Sequence, residues 1–175
     1  MPASATLDAF ERAVLPLMDD AYTLARYLMR NEHDAQDIVQ ESYLRALRNY
    51  QPHTINDPRA WLLTIVRNCC FSWKTRHRRD ALSVEYDDAI HAQADPAPGP
   101  DALVIASSSH DAMRAALDAL PDDAREILIL REIQQLSYKE IAQVAGIPIG
   151  TVMSRIARAR RRLQEALGGS SQAAG

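Results

Sequence analysis

Apolar residues recur at three- and four-residue intervals along most of the chain, the spacing that places them on one face of a helix. Phe10, Val14, Leu17, Met18, Ala21, Leu24, Ala25 and Leu28 form the first such stripe, which predicts a helix over about residues 7–30. Pro16 falls inside it, and a proline ring removes a donor and clashes with the preceding turn, so a kink or break is expected there. After a turn at Asn31-Glu32-His33, a second helix is expected over about 34–50, with Ile38, Val39, Ser42, Ala46 and Leu47 able to face inward. Asp34, Asp37, Gln40, Glu41 and Arg45 are then left on the outer side, which on periodicity alone reads as a solvated face. Gln51–Asn56 reads as a loop. Asp57-Pro58 is a start signal, because aspartate accepts orphan amides and proline fits the first helical turn. The third helix then carries Trp61, Leu62, Ile65, Val66, Cys69 and Trp73.

The periodicity stops at Ala81 and resumes near Asp111. The intervening segment holds Pro96, Pro98, Gly99, Pro100 and several serines, and only Ala102–Ala106 could be helical. Beyond it, Met113, Ala116, Leu117 and Leu120 make one apolar face, Pro121 separates it from the next helix, and Ile127, Leu128 and Leu130 follow. Ser137-Tyr138-Lys139-Glu140 is a capping box, in which the serine and the glutamate three residues on satisfy each other's backbone amides. The short helix it opens is stopped by Gly146 and Pro148. A last helix turns Val152, Ile156, Ala159 and Leu163 inward and Thr151, Ser154, Arg155, Arg158 and Arg162 outward. No stretch alternates β-branched residues. The expected fold is therefore all-α: a helical domain over 1–80, a flexible acidic linker over 81–110, a second helical domain over 111–167 and a disordered tail over 168–175.

Composition changes this picture little, but charge changes it a good deal. The 175 residues are 47% hydrophobic, with no apolar run near the roughly 20 residues that span a bilayer and no signal-peptide pattern at the start. Cys69 and Cys70 are adjacent and lie in an apolar helical run, so they read as buried, reduced thiols. The net charge of −3 argues weakly against nucleic acid, yet it averages over a basic–acidic–basic pattern. Arg67, Lys74, Arg76, Arg78 and Arg79 form one basic block and Arg155, Arg158, Arg160, Arg161 and Arg162 another, neither containing an acid. From Ala81 to Asp111 there is no Lys or Arg, while Glu85, Asp87, Asp88, Asp95, Asp101 and Asp111 are acidic.

The first block interleaves cations with Phe71, Trp73 and His77, more positive charge than a helix C-terminus needs. Cations with aromatics can follow a phosphate backbone and stack on unpaired bases. The second block lies on the second of two helices joined by a glycine-containing turn, which is a helix-turn-helix. Arginine can read guanine edges there, serine can reach a base or phosphate, and the remaining arginines can pair with phosphates. No Ser/His/Asp arrangement, phosphate loop or paired carboxylates point to catalysis, and the five histidines are scattered. No catalytic, cofactor or metal site and no small-molecule substrate is expected.

These blocks, in this order, resemble the extracytoplasmic-function sigma factors of bacteria. Asp34-Ala35-Gln36-Asp37-Ile38-Val39-Gln40-Glu41 looks like the family's polymerase-binding helix, and Pro58-Arg59-Ala60-Trp61-Leu62 through Arg67-Asn68 like its promoter-melting helix. Leu120-Pro121 through Arg125, with Leu130-Arg131-Glu132, looks like the start of its C-terminal domain. Leu136–Ala142, Gly150–Arg155 and Arg158-Ala159-Arg160 look like its helix-turn-helix. The resemblance implies a cytoplasmic initiation factor that binds core RNA polymerase and promoter DNA and is held in check by an anti-sigma factor. It implies that Asp34, Asp37, Gln40 and Glu41 dock on the polymerase clamp, against the solvated-face reading. Asn56, Arg67, Asn68, Trp73, Lys74, Arg76, Arg78 and Arg79 would hold the minus-ten element, with the loop Gln51–Asp57 accepting a flipped base. Thr151, Ser154, Arg155, Arg158 and Arg160 would bind the minus-thirty-five element, and the acidic linker would run toward the RNA exit path. The chain departs from the family at Gln134-Gln135, often an acid followed by Gly, at Met153, often basic, and at Ala157, which can be aromatic. If Gln135 needs a left-handed backbone, it costs about 1 kcal/mol more there than Gly would. The rival reading is an autonomous helix-turn-helix regulator that acts without polymerase, which would explain only the second domain.

Overall fold

The computed structural model describes residues 2–83 and 104–172. The chain divides into two compact units, the first holding four helices and the second beginning with the fifth.

In the first unit, α1 (Pro2–Val14) passes through one tight turn, Leu15–Leu17, into α2 (Met18–Met29). The turn places Pro16 in its middle, so the break expected from that residue is present. Arg30 closes α2 in the left-handed region at φ 60°, its N–H bonded to Arg26 O at 3.2 Å. Asn31 then caps α3 (Glu32–Asn49), its Oδ1 accepting Asp34 N–H at 3.1 Å. The second helix thus starts two residues before its expected beginning at Asp34, because the left-handed Arg30 makes the turn and frees Asn31 to cap. α4 (Pro58–Ser83) opens as expected on Asp57, whose Oδ1 accepts Ala60 N–H at 3.0 Å. α2, α3 and α4 pack pairwise, and α1 lies on α4.

Phe10, Val14, Leu24, Leu28, Ile38, Leu62, Leu63, Val66 and both cysteines form the core of this unit. Cys69 and Cys70 are free and buried. Ser42 is buried at no hydrogen-bond deficit, its hydroxyl donating to Ile38 O at 2.7 Å. Leu47, expected inward, is exposed: the buried strip of α3 is narrower than its apolar stripe.

In the second unit, α5 (Val104–Asp118) starts inside the segment expected as linker, and α8 (Ile149–Gln172) continues into the expected tail. α4 likewise runs three residues into the expected linker, to Ser83, and residues 84–103 and 173–175 lie outside the described residues. α6 (Asp122–Leu128) runs directly into a wide turn at Ile129–Ile133, where Gln134 N–H reaches back to Ile129 O at 2.9 Å. Gln135 follows in the left-handed region at φ 54°. α7 (Tyr138–Ala145) has its reciprocal cap: Ser137 N–H donates to Glu140 Oε2 at 2.6 Å, and Glu140 N–H to Ser137 Oγ at 3.2 Å. Gly146 at φ 67° ends it. α8 packs on α5 and α6.

One core feature escaped periodicity. Arg125 is fully buried, with Nε donating to Leu117 O at 2.9 Å and Nη2 to Leu120 O at 2.8 Å. Its Nη2 also lies 3.3 Å from Asp122 Oδ1. The guanidinium thus satisfies carbonyls where α5 ends, orphan groups by the geometry of any helix C-terminus.

Candidate nucleic-acid interface

On α3, Asp37 and Gln40 are exposed, while Asp34 and Glu41 are half-buried. Asp34 donates its backbone N–H to the Asn31 cap, which places it in the first turn of α3. Glu41 bonds Arg45 one turn on, and its other oxygen lies 3.8 Å from Arg76 of α4. Two leucines that the sequence did not single out for this face, Leu44 and Leu47, stand exposed along the same side of the helix. The helical spacing of Asp37, Gln40 and Leu44 would have found the first of them. The face is therefore acidic at one end and apolar at the other.

The basic end of α4 begins where its buried strip stops at Cys70. Arg67 lies over the Phe71 ring at 4.5 Å and Lys74 at 5.7 Å, so one ring is flanked by two cations. Arg67 Nη1 also reaches Asn68 Oδ1 at 3.4 Å. Trp73 and His77 stack face to face with centroids 3.6 Å apart, and His77 Nδ1 sits 3.0 Å from Trp73 O. Arg76, Arg78 and Arg79 are exposed around that stack. Asn56 is exposed in the loop before α4. That loop is pinned from beneath: Tyr50 packs edge-on against Phe10 at 5.2 Å, tilts against Trp61 at 6.0 Å and donates to Ala9 O at 3.2 Å. The base of the loop is thus packed against the first unit's core while its tip is exposed.

On α8, buried Val152, Ile156 and Ala159 fix the rotation of the helix. Ser154 and Arg158 point out; Thr151 and Arg155 are half-buried on one flank. Arg155, Arg158 and Arg162 line a shallow, open cleft against Asp123 and Ala124 of α6. Arg160 is on the opposite flank, where Nε and Nη2 both donate to Glu132 Oε1. This carboxylate, hydrogen-bonded to the guanidinium, raises the Arg160 pKa above its ordinary value. The partner is 28 residues away in sequence, and no local signal could have shown it. The structure therefore groups Arg155 and Arg158 and sets Arg160 apart.

Two cationic surfaces, one with aromatics on α4 and one on a helix-turn-helix, suit a protein that touches nucleic acid at two places. Residues 14–80 match Sigma-70 region 2, and residues 110–163 match Sigma-70, region 4. ECF RNA polymerase sigma factor EcfG of Rhodopseudomonas palustris is 38% identical over 164 residues, spanning 91% of this chain and 86% of that relative. The chain belongs to the extracytoplasmic-function sigma factors of the sigma-70 family. ECF RNA polymerase sigma factor SigE of Mycolicibacterium smegmatis is 36% identical over 169 residues, covering 93% of this chain and 63% of that longer protein. Among solved structures, the sigma factor RpoE of Bartonella quintana, crystallised with the anti-sigma factor NepR, is similar with a TM-score of 0.71 and 29% identity. That likeness covers 91% of this chain and 96% of the other. The sigma-70 matches take in the acidic face of α3, the aromatic and basic end of α4, and the helix-turn-helix as far as residue 163 of α8. None of the described helices is long and apolar enough to cross a membrane.

Proposed function

We infer that this sigma factor recruits core RNA polymerase through α3, opens the minus-ten element with α4 and reads the minus-thirty-five element with α8. The observation that carries the reading is the pairing of two regions in one chain: both sigma-70 regions match, and each presents its own cationic surface. An autonomous repressor would explain α8 alone, whereas a polymerase-associated, promoter-specific initiation factor uses both. It acts by binding and positioning, with no bond-making chemistry of its own, and works where polymerase and DNA are, in the cytoplasm.

On α3, Asp34, Asp37, Gln40 and Glu41 supply polar contacts to the polymerase clamp, and exposed Leu44 and Leu47 beyond them supply apolar area for a stable interface to bury. On α4, the Trp73–His77 stack and the cation-flanked Phe71 offer flat surfaces to unstacked bases. Asn68, Lys74, Arg76, Arg78 and Arg79 supply hydrogen bonds and charge to the strand beside them, and Asn56 reaches a base turned out toward the loop. On α8, Thr151, Ser154, Arg155 and Arg158 meet the promoter directly, and Arg160 does so only if it leaves Glu132. An anti-sigma factor is the partner expected to block these surfaces, since the similar Bartonella quintana protein was crystallised with one.

The test of the polymerase assignment is charge reversal. Asp37→Lys combined with Glu41→Lys should lower affinity for core polymerase at least tenfold while far-UV circular dichroism stays unchanged. Undiminished affinity in the folded double variant removes α3 as the polymerase face.

A further inference from the structure

Met153 is 54% exposed, the most exposed of the large apolar side chains described in the second unit. It stands on α8, with Ala157 one turn further along the same side, also exposed. The rotation of α8 is set by Val152, Ile156 and Ala159, so Met153 stands on the exposed flank beside Arg160 and Ala157 is turned further from the core. Around them are Ser154, Arg158 and Arg161, all exposed. The cation nearest their own flank, Arg160, is held by Glu132. Ser154 Oγ donates to Thr151 O at 3.1 Å, and Arg158 Nε lies 3.4 Å from Ser154 O. A small apolar strip thus lies between Arg160 on one side and Ser154, Arg158 and Arg161 on the other.

A protein partner with an apolar pocket would have to strip water from those arginines to reach the strip, which is costly. The DNA major groove offsets that cost. Its phosphate walls complement the arginines, and its floor carries one apolar group, the C5-methyl of thymine. Methionine is unbranched and adapts its shape to such a contact.

We propose that Met153, assisted by Ala157, is a specificity-determining residue that reads thymine methyl groups in the minus-thirty-five element. The proposal rests on the reading of α8 as the promoter helix and adds to it a base preference that no arginine contact supplies. Arginine selects guanine through O6 and N7, whereas the Met153 strip selects an A·T pair with its methyl turned toward the helix.

The experiment uses the full chain assembled with core polymerase. Promoter duplexes are selected in vitro with this holoenzyme, and each thymine of the upstream element is replaced singly by deoxyuridine, which removes the methyl and leaves the hydrogen-bonding edge intact. At one or two positions the replacement should weaken wild-type binding about fourfold, the effect of exposing one buried methyl-sized group. Met153→Ala should abolish the thymine–uracil difference at those positions, and Met153→Leu should preserve it. A wild-type holoenzyme indifferent to every thymine replacement overturns the proposal, as does a Met153→Ala variant that keeps the full difference. If selection yields no common upstream element at all, the assignment of α8 to promoter reading is what has failed.

Discussion

Gln135 offers the sharpest test of how this helix-turn-helix is built. Its φ of 54° places a side chain in the left-handed region, where the Cβ approaches the following carbonyl. The position has a purpose. The left-handed step turns the chain out of the wide turn at Ile129–Ile133, returns Leu136 to the core and delivers Ser137 to cap α7. Leu136 is held on both sides, its N–H bonded to Leu130 O at 3.0 Å and its carbonyl accepting Arg131 Nη1 at 2.8 Å. Arg131 in turn lies over the Tyr138 ring at 4.9 Å. The Gln135 side chain itself is exposed. Gln135→Gly should therefore relieve about 1–2 kcal/mol of backbone strain, offset by about 0.4–1 kcal/mol from the freer unfolded chain. The net gain is about 0.5–1 kcal/mol, or roughly 3–7 °C in the midpoint of a unit this small. Gln135→Val, β-branched, should shift the midpoint the other way. Both tryptophans lie in the first unit, so the effect should appear in far-UV circular dichroism and leave the tryptophan fluorescence midpoint where it was. A Gly variant no more stable than wild type would refute the argument that the turn stores this strain.

Arg158→Ala should relax base preference at one position of the minus-thirty-five element. Arg160→Ala should change the salt slope of DNA binding by less than the roughly 0.9 expected for a full phosphate contact, because Glu132 holds the guanidinium; equal slopes for Arg160→Ala and a lost phosphate contact would show that the pair opens on DNA. Arg125→Ala removes a buried guanidinium from the carbonyls of Leu117 and Leu120 and should destabilise the second unit by about 3 kcal/mol. Chemical denaturation followed by circular dichroism measures that loss, and a change under about 1 kcal/mol would show that the buried arginine contributes little beyond its volume.

What was legible in the sequence was what is local. The Asp57 cap, the Ser137–Glu140 box, the break at Pro16 and the stop at Gly146 each depend on residues within one turn, and each stands where its chemistry put it. What escaped was set by distant partners. Arginine is read as a surface residue, so the burial of Arg125 needs the end of α5 beside it to make sense. An apolar stripe marks a buried side but not its width, which is why Leu47 came out exposed. The acidic, serine-bearing stretch before Asp111 argued for a linker, yet helix begins at Val104. The candidate site followed the same rule. The outward placement of Asp37, Gln40, Ser154 and Arg158 follows from periodicity, whereas the Arg160–Glu132 and Arg76–Glu41 pairs cross between elements and leave no trace in spacing. Met153 and Ala157 were visible as departures from the family, but only the orientation of α8 shows them on its open face.

The central claim is that this chain gives core polymerase its promoter choice through two DNA contacts. The most direct measurement is transcription from fragmented bacterial genomic DNA by core polymerase alone and with the chain added, with RNA 5′ ends mapped by sequencing. Addition of the chain should create discrete start sites, each preceded by two common elements at fixed separation, and the Asp37→Lys, Glu41→Lys variant should create none. Start sites no different from those of core polymerase alone, together with tight sequence-specific binding of the chain to duplexes without polymerase, would contradict the account and favour an autonomous regulator.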